Sequence, residues 1–328
     1  MGVEPALGRL SPGRRLLLTV EGDGSGKSSD PSAPPLISAK VAGAMSADKF
    51  NIFISDWEDA PARTPVGVSA WAIGDVHGHL DHLNALLVAV ETLIVQAPPG
   101  PRHLVMMGDY VDRGPANIGV LQRVAALRIP GVKVTRLLGN HEQFLARFLN
   151  DEAMGPDFVD FWAANGGLAT LVDMGIYSGD IRRYGPVAVI DQVRATAPAS
   201  IRRALGELEL TFRLGGYLFA HAGVHPLHPL EDAEQQRLTT IRQPFLDGEG
   251  WIHDFAVVHG HSIVGPDVER HRIAVDSGCY HTGVLTCVEL RDDRARFICA
   301  TRDKTLDGLQ RIKGRRPLSS ETWRAMAG

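Results

Sequence analysis

The chain has 328 residues, of which 44% are hydrophobic and 22% are charged, and its formal net charge is −4. This composition is typical of a soluble globular protein, and the chain is long enough for one large α/β domain or two smaller ones. The slight acidity gives no reason to expect binding to nucleic acid or to an anionic membrane.

The cysteines and the early apolar runs bear on the compartment. Cys279, Cys287 and Cys299 contain no CxxC pair and are too few for a disulfide framework, which favours a reducing cytoplasm. The longest early apolar run, at 16–20, is too short for a secretion signal or a membrane span. We therefore expect a cytoplasmic protein; the sequence does not predict its oligomeric state.

The first 66 residues differ in composition from the rest. Their Gly, Ser and Pro content predicts a disordered N-terminal extension or linker over 1–66. Gly26-Lys27-Ser28 is similar to the end of a nucleotide-binding P-loop, but that pattern needs a glycine where the chain has Glu21, so we reject it. An alternative is that the native chain starts at Met45 and that residues 1–44 are an upstream extension.

Three units of the same construction follow from Val68 onward. In each, a short apolar run predicts a buried strand, a polar turn follows it, and an amphipathic stretch predicts a helix. The predicted strands are 69–73, 103–107 and 132–138, and the predicted helices are 80–95, 116–127 and 143–149. This alternation predicts right-handed crossovers and a parallel start to the sheet.

The second half predicts a helical insertion and then more strands. Residues 151–205 show a helical, mixed-charge pattern, which predicts an inserted lobe over the site. A hairpin is predicted at 208–213 and 217–221, and antiparallel strands are predicted at 255–259, 272–276, 285–290 and 296–300. The predicted fold class is α/β, with a catalytic domain over 67–301 and a loosely ordered C-terminal tail over 302–328.

The polar turns after the predicted strands carry candidate metal ligands. The turns are Gly74-Asp75-Val76-His77-Gly78, Gly108-Asp109-Tyr110-Val111-Asp112-Arg113-Gly114 and Gly139-Asn140-His141-Glu142. With two later histidines, the candidate ligands are Asp75, His77, Asp109, Asn140, His221 and His261. Their carboxylate, imidazole and amide donors suit Mn, Fe or Zn. Six ligands are too many for one open ion, so we predict two divalent ions about 3.5–4 Å apart that share Asp109.

The same turns carry candidate catalytic residues. Two close cations would lower the pKa of a water molecule between them and hold a phosphoryl group for direct attack. His141 is placed to protonate the leaving oxygen as a general acid, and Asp112 is the candidate to orient its ring. The planar guanidinium of Arg113 suits phosphate oxygens. For Glu142 we predict no more than support for the start of its helix.

In this order and spacing, the three motifs resemble the phosphoprotein phosphatase family of calcineurin-like metallophosphoesterases, and in particular its bacterial serine/threonine protein phosphatases. The resemblance covers about 71–300 and includes Ala220-His221-Ala222-Gly223 and Gly260-His261-Ser262. It implies a metallophosphoesterase-type sandwich of two mixed β-sheets flanked by helices, with the inserted helical lobe.

The resemblance also implies roles for single residues. One ion would be held by Asp75, His77 and Asp109, and the other by Asp109, Asn140, His221 and His261. A second phosphate-binding arginine would be Arg242, although Thr240 stands where bacterial relatives usually have tryptophan. The implied ions are two divalent metals, with manganese expected and iron or zinc as alternatives.

The expected activity is metal-dependent hydrolysis of phosphoserine and phosphothreonine on proteins, with phosphotyrosine as a further substrate. The expected partners are therefore phosphorylated proteins, with no nucleic acid and no membrane. One alternative is symmetrical dinucleoside tetraphosphate hydrolysis, against which the Asp112-Arg113 pair argues. The other is a non-catalytic binding module on a phosphatase fold, which predicts lost ligands, whereas all six are present.

Overall fold

The structure is a computed structural model that describes residues 50–150, 156–311 and 323–325. Most of the predicted N-terminal extension and part of the predicted C-terminal tail lie outside these ranges. No helix within the described ranges is long and apolar enough to cross a membrane.

Between residues 69 and 150 strands and helices alternate, as predicted. The strands are β1 (Asn51–Ser55), β2 (Glu58–Asp59), β3 (Ser69–Ile73), β4 (Arg102–Met106), β5 (Val132–Arg136), β6 (Thr211–Leu214), β7 (Tyr217–Ala220), β8 (Ala256–His259), β9 (Asp267–Glu269), β10 (Arg272–Ala274), β11 (Val284–Arg291), β12 (Arg294–Thr301) and β13 (Trp323–Ala325). The α-helices are α1 (Leu80–Gln96), α2 (Asn117–Ala125), α3 (Asn140–Asn150), α4 (Pro156–Trp162), α5 (Leu168–Asp173), α6 (Ser178–Tyr184), α7 (Pro186–Thr196), α8 (Ala199–Gly206), α9 (Gln235–Thr240) and α10 (Cys279–Thr282). A π-helical turn at Ala163–Gly167 joins α4 to α5, and short 3-10 turns lie at Leu230–Asp232 and Asp307–Arg311.

The first sheet has eight strands in the order β13-β1-β12-β11-β3-β4-β5, with β2 beside β12. Strands β3, β4 and β5 are parallel, as the sequence predicts, whereas β11 and β12 join them antiparallel. The sheet is therefore mixed.

The second sheet has five strands in the order β6-β7-β8-β10-β9. The predicted hairpin of β6 and β7 is confirmed. The prediction that the strands now seen as β8 and β10 are antiparallel was wrong, because the two strands run parallel. The physical reason is β9, which pairs antiparallel with β10 at the sheet edge and reverses the chain, so that β10 returns beside β8 in the same direction.

The two sheets form a sandwich flanked by helices, which confirms the predicted fold class. Side chains of β3 alternate between its two faces. Ala70 and Ala72 pack in the layer between the sheets with Phe219 and Val258. Trp71 and its neighbours on the opposite face pack instead against the flanking helices.

Both predicted ends of the catalytic domain need correction. Strand β1 pairs with β12, from Asn51 opposite Thr301 to Ile54 opposite Ile298, so the ordered domain begins before residue 67. Trp323–Ala325 pairs with β1, so this part of the predicted loose tail forms a strand. A local sequence pattern does not reveal either strand, because its hydrogen-bond partners lie far away along the chain.

Five helices and the π-helical turn lie within the described residues of the predicted lobe. The longer segment that holds both α3 and this lobe begins and ends at one place, where Leu137 and Glu209 form an isolated parallel bridge. The Leu138 N–H donates to the Glu209 carbonyl and the Glu209 N–H donates to the Arg136 carbonyl, both at 2.8 Å. Helix α3 and the lobe therefore share a closed base beside β5.

Removing the carboxylate of Glu289 in β11 is expected to destabilise the sandwich. This fully buried group pairs with Arg291 at 2.7 Å and with Arg296 at 2.6 Å. Glu289→Ala leaves both guanidiniums without their anion and should lower the free energy of unfolding by about 2 kcal/mol. Urea denaturation measures this change.

The matched control is Asp254→Ala, which removes an exposed partner of Arg213. Exposed ion pairs contribute little to stability, so this change should shift the free energy of unfolding by less than about 0.5 kcal/mol. Equal losses in the two variants would contradict the role assigned to Glu289.

Candidate metal centre

Every predicted ligand lies where a strand ends or a helix begins. Asp75 and His77 follow β3, Asp109 follows β4, Asn140 begins α3, His221 follows β7 and His261 follows β8. Parallel strands place their carboxyl ends at one edge, where open α/β sheets bind ligands. The predicted start of α3 at Gln143 was too late, because the helix already begins at Asn140.

The carboxylate of Asp109 lies at the centre of this arrangement. Its Oδ1 is 3.3 Å from Nε2 of His221, and its Oδ2 is 3.7 Å from Nε2 of His77 and 3.9 Å from Nε2 of His141. Two groups have ligand atoms that all lie within 4.8 Å of one another: His77, Asp109 and His141, and Asp109, His221 and His261. Asp109 is the member common to both, as expected of a residue shared by two ions.

Buried atoms without partners indicate that the site suits metal ions. Oδ1 of Asp75 and Nε2 of His261 are buried, and neither forms a hydrogen bond within the protein. A polar atom buried in this way costs free energy unless something binds it. A divalent cation would satisfy both atoms, and carboxylate and imidazole donors suit such ions. The residues present therefore fit divalent metals.

Backbone carbonyls orient two of the imidazoles. Nδ1 of His77 lies 2.8 Å from the Val111 carbonyl, and Nδ1 of His221 lies 2.8 Å from the Met107 carbonyl. A carbonyl only accepts, so each Nδ1 carries the hydrogen and each Nε2 is the atom directed to the cluster. Oδ1 of Asn140 lies 3.2 Å from Nε2 of His221, which places the predicted amide ligand in the same cluster.

The backbone is strained at the site. Among the residues that the structure describes, six that are not glycine have a positive φ, and five of them are predicted site residues. These five are His77, Asp109, Asp112, Arg113 and His261. Such conformations cost roughly 1–2 kcal/mol each and persist where surrounding contacts enforce them.

Two glycines permit the close approach of the turns. A Cβ atom at Gly139 would overlap Oδ1 of Asp109, and one at Gly260 would overlap Oδ1 of Asp75. Neither position tolerates a side chain while the carboxylates keep their places. The glycines of the motifs therefore serve the packing of the ligands.

Glu142 joins two of the motifs, a role that goes beyond the support predicted for it. Its buried carboxylate accepts four backbone N–H groups: those of Asp109 and Tyr110 at 2.8 Å, Gly139 at 3.1 Å and Val111 at 3.2 Å. The turn after β4 is thereby fixed to the start of α3. The sequence carries no sign of this link, because the joined segments are about thirty residues apart.

Burial and the neighbouring charges of the cluster shift the pKa values of its carboxyl groups. Burial acts to raise the pKa of Asp109, but His221, His141 and His77 outweigh it and hold the pKa well below its usual value. Burial, Asp276 and Asp109 raise the pKa of Asp75. Asp276 is a buried carboxyl whose own pKa is raised to about 6 by burial, and its Oδ1 accepts the Gly278 N–H at 2.7 Å.

The predicted acid pair is in contact. Nδ1 of His141 lies 2.6 Å from Oδ2 of the fully buried Asp112. Burial acts to lower the pKa of His141, but Asp109 and Asp112 outweigh it and raise the pKa. His141 thus keeps a hydrogen on Nδ1, while its Nε2 faces Nη2 of Arg113, which only donates. The role of His141 as a general acid remains a prediction.

The two predicted phosphate arginines flank the cluster. Nη1 of Arg113 lies 2.9 Å from Nε2 of His77, its Nη2 lies 3.1 Å from Nε2 of His141, and its guanidinium stacks on the Tyr280 ring at 4.4 Å. Nη1 of the exposed Arg242 donates to the hydroxyl of Ser262 at 3.2 Å, next to His261. All ten predicted site residues are therefore found in one region.

Comparison with known proteins agrees with this geometry. Residues 68–301 match the family of calcineurin-like phosphoesterases. The chain belongs to this family. The matched residues include the ten described α-helices and every described strand except β1, β2 and β13. Divalent metals are the cofactors that the family and the His/Asp groups support.

The chain is similar to proteins that are named for several activities. A symmetrical bis(5′-nucleosyl)-tetraphosphatase of Yersinia enterocolitica is 44% identical over 80 residues, which cover 24% of each chain, so the match spans about a quarter of that curated relative. A cold-active protein-tyrosine phosphatase of a Shewanella species has a TM-score of 0.45 at 17% identity, covering 75% of this chain and 82% of that one. A serine/threonine phosphatase of Saccharomyces cerevisiae has a TM-score of 0.40 at 16% identity, with 68% and 72% covered.

The affinity for divalent ions is expected to rise with pH. Burial acts to lower the pKa of His221, but Asp109 outweighs it and raises the pKa to about 10. An ion bound through Nε2 must displace the proton held there at neutral pH, so affinity falls as pH falls, by about tenfold per unit for one proton released. Manganese titrations at several pH values measure this slope.

Two variants test the assignment to His221. His221→Asn should bind manganese more weakly and with a shallower dependence on pH. His253→Asn is the control, because His253 lies outside the cluster and contacts the His225 carbonyl. An affinity independent of pH in the unaltered protein would contradict the expectation.

Proposed function

We propose that this phosphoesterase hydrolyses phosphoserine and phosphothreonine monoesters on proteins. The observation that carries the proposal is the buried pair of Asp112 and His141, at 2.6 Å, beside the ligand cluster. Serine and threonine leave as alkoxides, which are poor leaving groups and need a proton. A general acid held in this way is of most value for such substrates.

The proposed assignments follow the side-chain chemistry. When bound, two divalent ions, manganese in our proposal, would supply an activated water and positive charge for the phosphoryl group. The residues proposed to hold them are Asp75, His77, Asp109, Asn140, His221 and His261. Arg113 and Arg242 are proposed to bind the remaining phosphate oxygens, because a guanidinium offers planar pairs of donors.

His141 is proposed to complete the reaction. Its Nδ1–H donates to Asp112, which leaves Nε2 directed to the region between His77 and Arg113. When Arg113 turns from this atom to a bound phosphate, Nε2 can carry a proton and pass it to the leaving oxygen. Asp112 keeps the ring in place and stabilises the imidazolium before transfer.

A second candidate is hydrolysis of symmetrical dinucleoside tetraphosphates. The observation that favours it is the 44% identity over 80 residues to the Yersinia relative, which is a symmetrical bis(5′-nucleosyl)-tetraphosphatase. Its leaving group is a nucleoside polyphosphate, which departs as a stable anion and has less need of a proton. The Asp112–His141 pair is therefore harder to explain under this candidate.

The substrate is tested by comparing catalytic efficiencies on three compounds. We expect kcat/KM on a phosphoserine peptide to exceed that on diadenosine tetraphosphate by at least about tenfold, because a poor leaving group gains most from general acid catalysis. The third compound is a phosphotyrosine peptide. A preference for the dinucleotide would overturn the proposal. If metal-loaded protein shows no manganese-stimulated turnover of para-nitrophenyl phosphate, the result would favour a non-catalytic module.

The general acid is tested by His141→Asn. This change should lower kcat on the phosphoserine peptide by about 10²–10⁴-fold, the usual scale for general acid–base catalysis. Metal content, measured by elemental analysis, should stay unchanged. Loss of metal would instead indicate that His141 is a ligand, and His253→Asn provides the matched control for a histidine outside the cluster.

A further inference from the structure

The lobe contacts the acid pair directly, through two residues that lie outside the three sequence motifs. Trp162, the last residue of α4, donates its Nε1–H to Oδ2 of Asp112 at 2.8 Å. Thr170 of α5 donates its hydroxyl to Oδ1 of Asp112 at 2.5 Å. All three residues are fully buried. The orienting carboxylate is thus held on one side by His141 and on the other by the lobe.

These bonds fix the plane of the carboxylate. Oδ2 accepts from both His141 and Trp162, while Oδ1 accepts from Thr170. The Asp112 N–H also donates to the Thr170 hydroxyl at 3.1 Å, so Thr170 binds both the side chain and the backbone of Asp112. A carboxylate bound by three donors in different directions has little freedom to rotate.

The lobe also satisfies the strained backbone next to the acid pair. Asp112 and Arg113 are consecutive residues with φ of 72° and 70°. Their N–H groups are bound by the lobe: that of Asp112 by Thr170, and that of Arg113 by the Gly166 carbonyl at 3.0 Å. The π-helical turn containing Gly166 therefore helps to hold this conformation.

We propose that Trp162 and Thr170 are positioning residues for proton donation, acting through Asp112 on the ring of His141. The inference rests on the proposed function, in which His141 is the general acid. It assigns to the lobe a part in the chemical step, in addition to covering the cluster. Without these donors, Asp112 can turn away and the proton on Nε2 is no longer directed at the leaving oxygen.

The leaving group distinguishes positioning from a merely structural role. A misplaced acid slows substrates whose leaving group needs a proton, such as phosphoserine. It has little effect on para-nitrophenyl phosphate, whose leaving group departs as a stable anion. Damage to folding or to the metal site would instead slow both substrates alike.

The experiment uses the metal-loaded full chain with Trp162→Phe and Thr170→Val. Each change removes one donor and keeps most of the side-chain volume. We expect kcat on a phosphoserine peptide to fall by about 10–100-fold and kcat on para-nitrophenyl phosphate by less than about threefold, as for partial loss of a general acid. Thr170→Ser, which keeps the hydroxyl, should restore the ratio of the two rates.

Two control variants match these changes elsewhere. Thr196→Val removes a lobe hydroxyl bound to the Gln192 carbonyl, and Trp251→Phe removes an indole donor bound to the Phe255 carbonyl. Neither should change the ratio of the two rates. If Thr170→Val does not fold, Trp162→Phe carries the test alone.

Two outcomes overturn the inference: equal losses on both substrates, and full activity on the phosphoserine peptide in both variants. His141→Asn, measured on the same pair of substrates, separates this failure from failure of the proposed function. If His141→Asn loses activity selectively on the peptide while the lobe variants do not, the acid assignment stands and the positioning role fails. If His141→Asn shows no such selectivity, the acid assignment fails.

Discussion

The structure depends on one buried carboxylate surrounded by imidazoles. Asp109 has Nε2 atoms of three histidines within 4 Å of its oxygens, and these histidines come from three separate segments of the chain. A charge removed from water needs nearby opposite charge or strong donors. Bringing such partners together from two sheets and a helix requires the strand ends to converge, which is what the sandwich achieves.

This convergence requires left-handed backbone conformations in the turns, and contacts from other segments offset their free-energy cost. Left-handed conformations at Asp109, Asp112 and Arg113 would together cost several kcal/mol, at roughly 1–2 each. Three N–H groups of this turn, bound by Glu142, stabilise its first part, and the lobe stabilises the second. The strain is thus held by groups that lie outside the motif itself.

Local sequence patterns predicted many of the strands and the ligand positions. Apolar runs predicted β3, β4 and β5 because a buried parallel strand needs few polar residues, and turn chemistry predicted the ligand positions. Partners distant in sequence were not predictable in the same way. Strand β1 finds its hydrogen bonds about 250 residues away, and Trp162 and Thr170 meet Asp112 across 50 and 58 residues. No spacing rule in a single sequence connects such positions.

The closed base shared by α3 and the lobe has a consequence for how such a protein can change. Its two ends, Leu138 and Glu209, lie side by side, but Asn140, His141 and Glu142 at the start of α3 belong to the site. Only the part that follows α3 can lengthen, shorten or be exchanged without altering the order of strands or these residues. Within that part, Trp162, Gly166 and Thr170 bind Asp112 and Arg113, so variation at small cost to the site is left to the exposed faces of α6, α7 and α8.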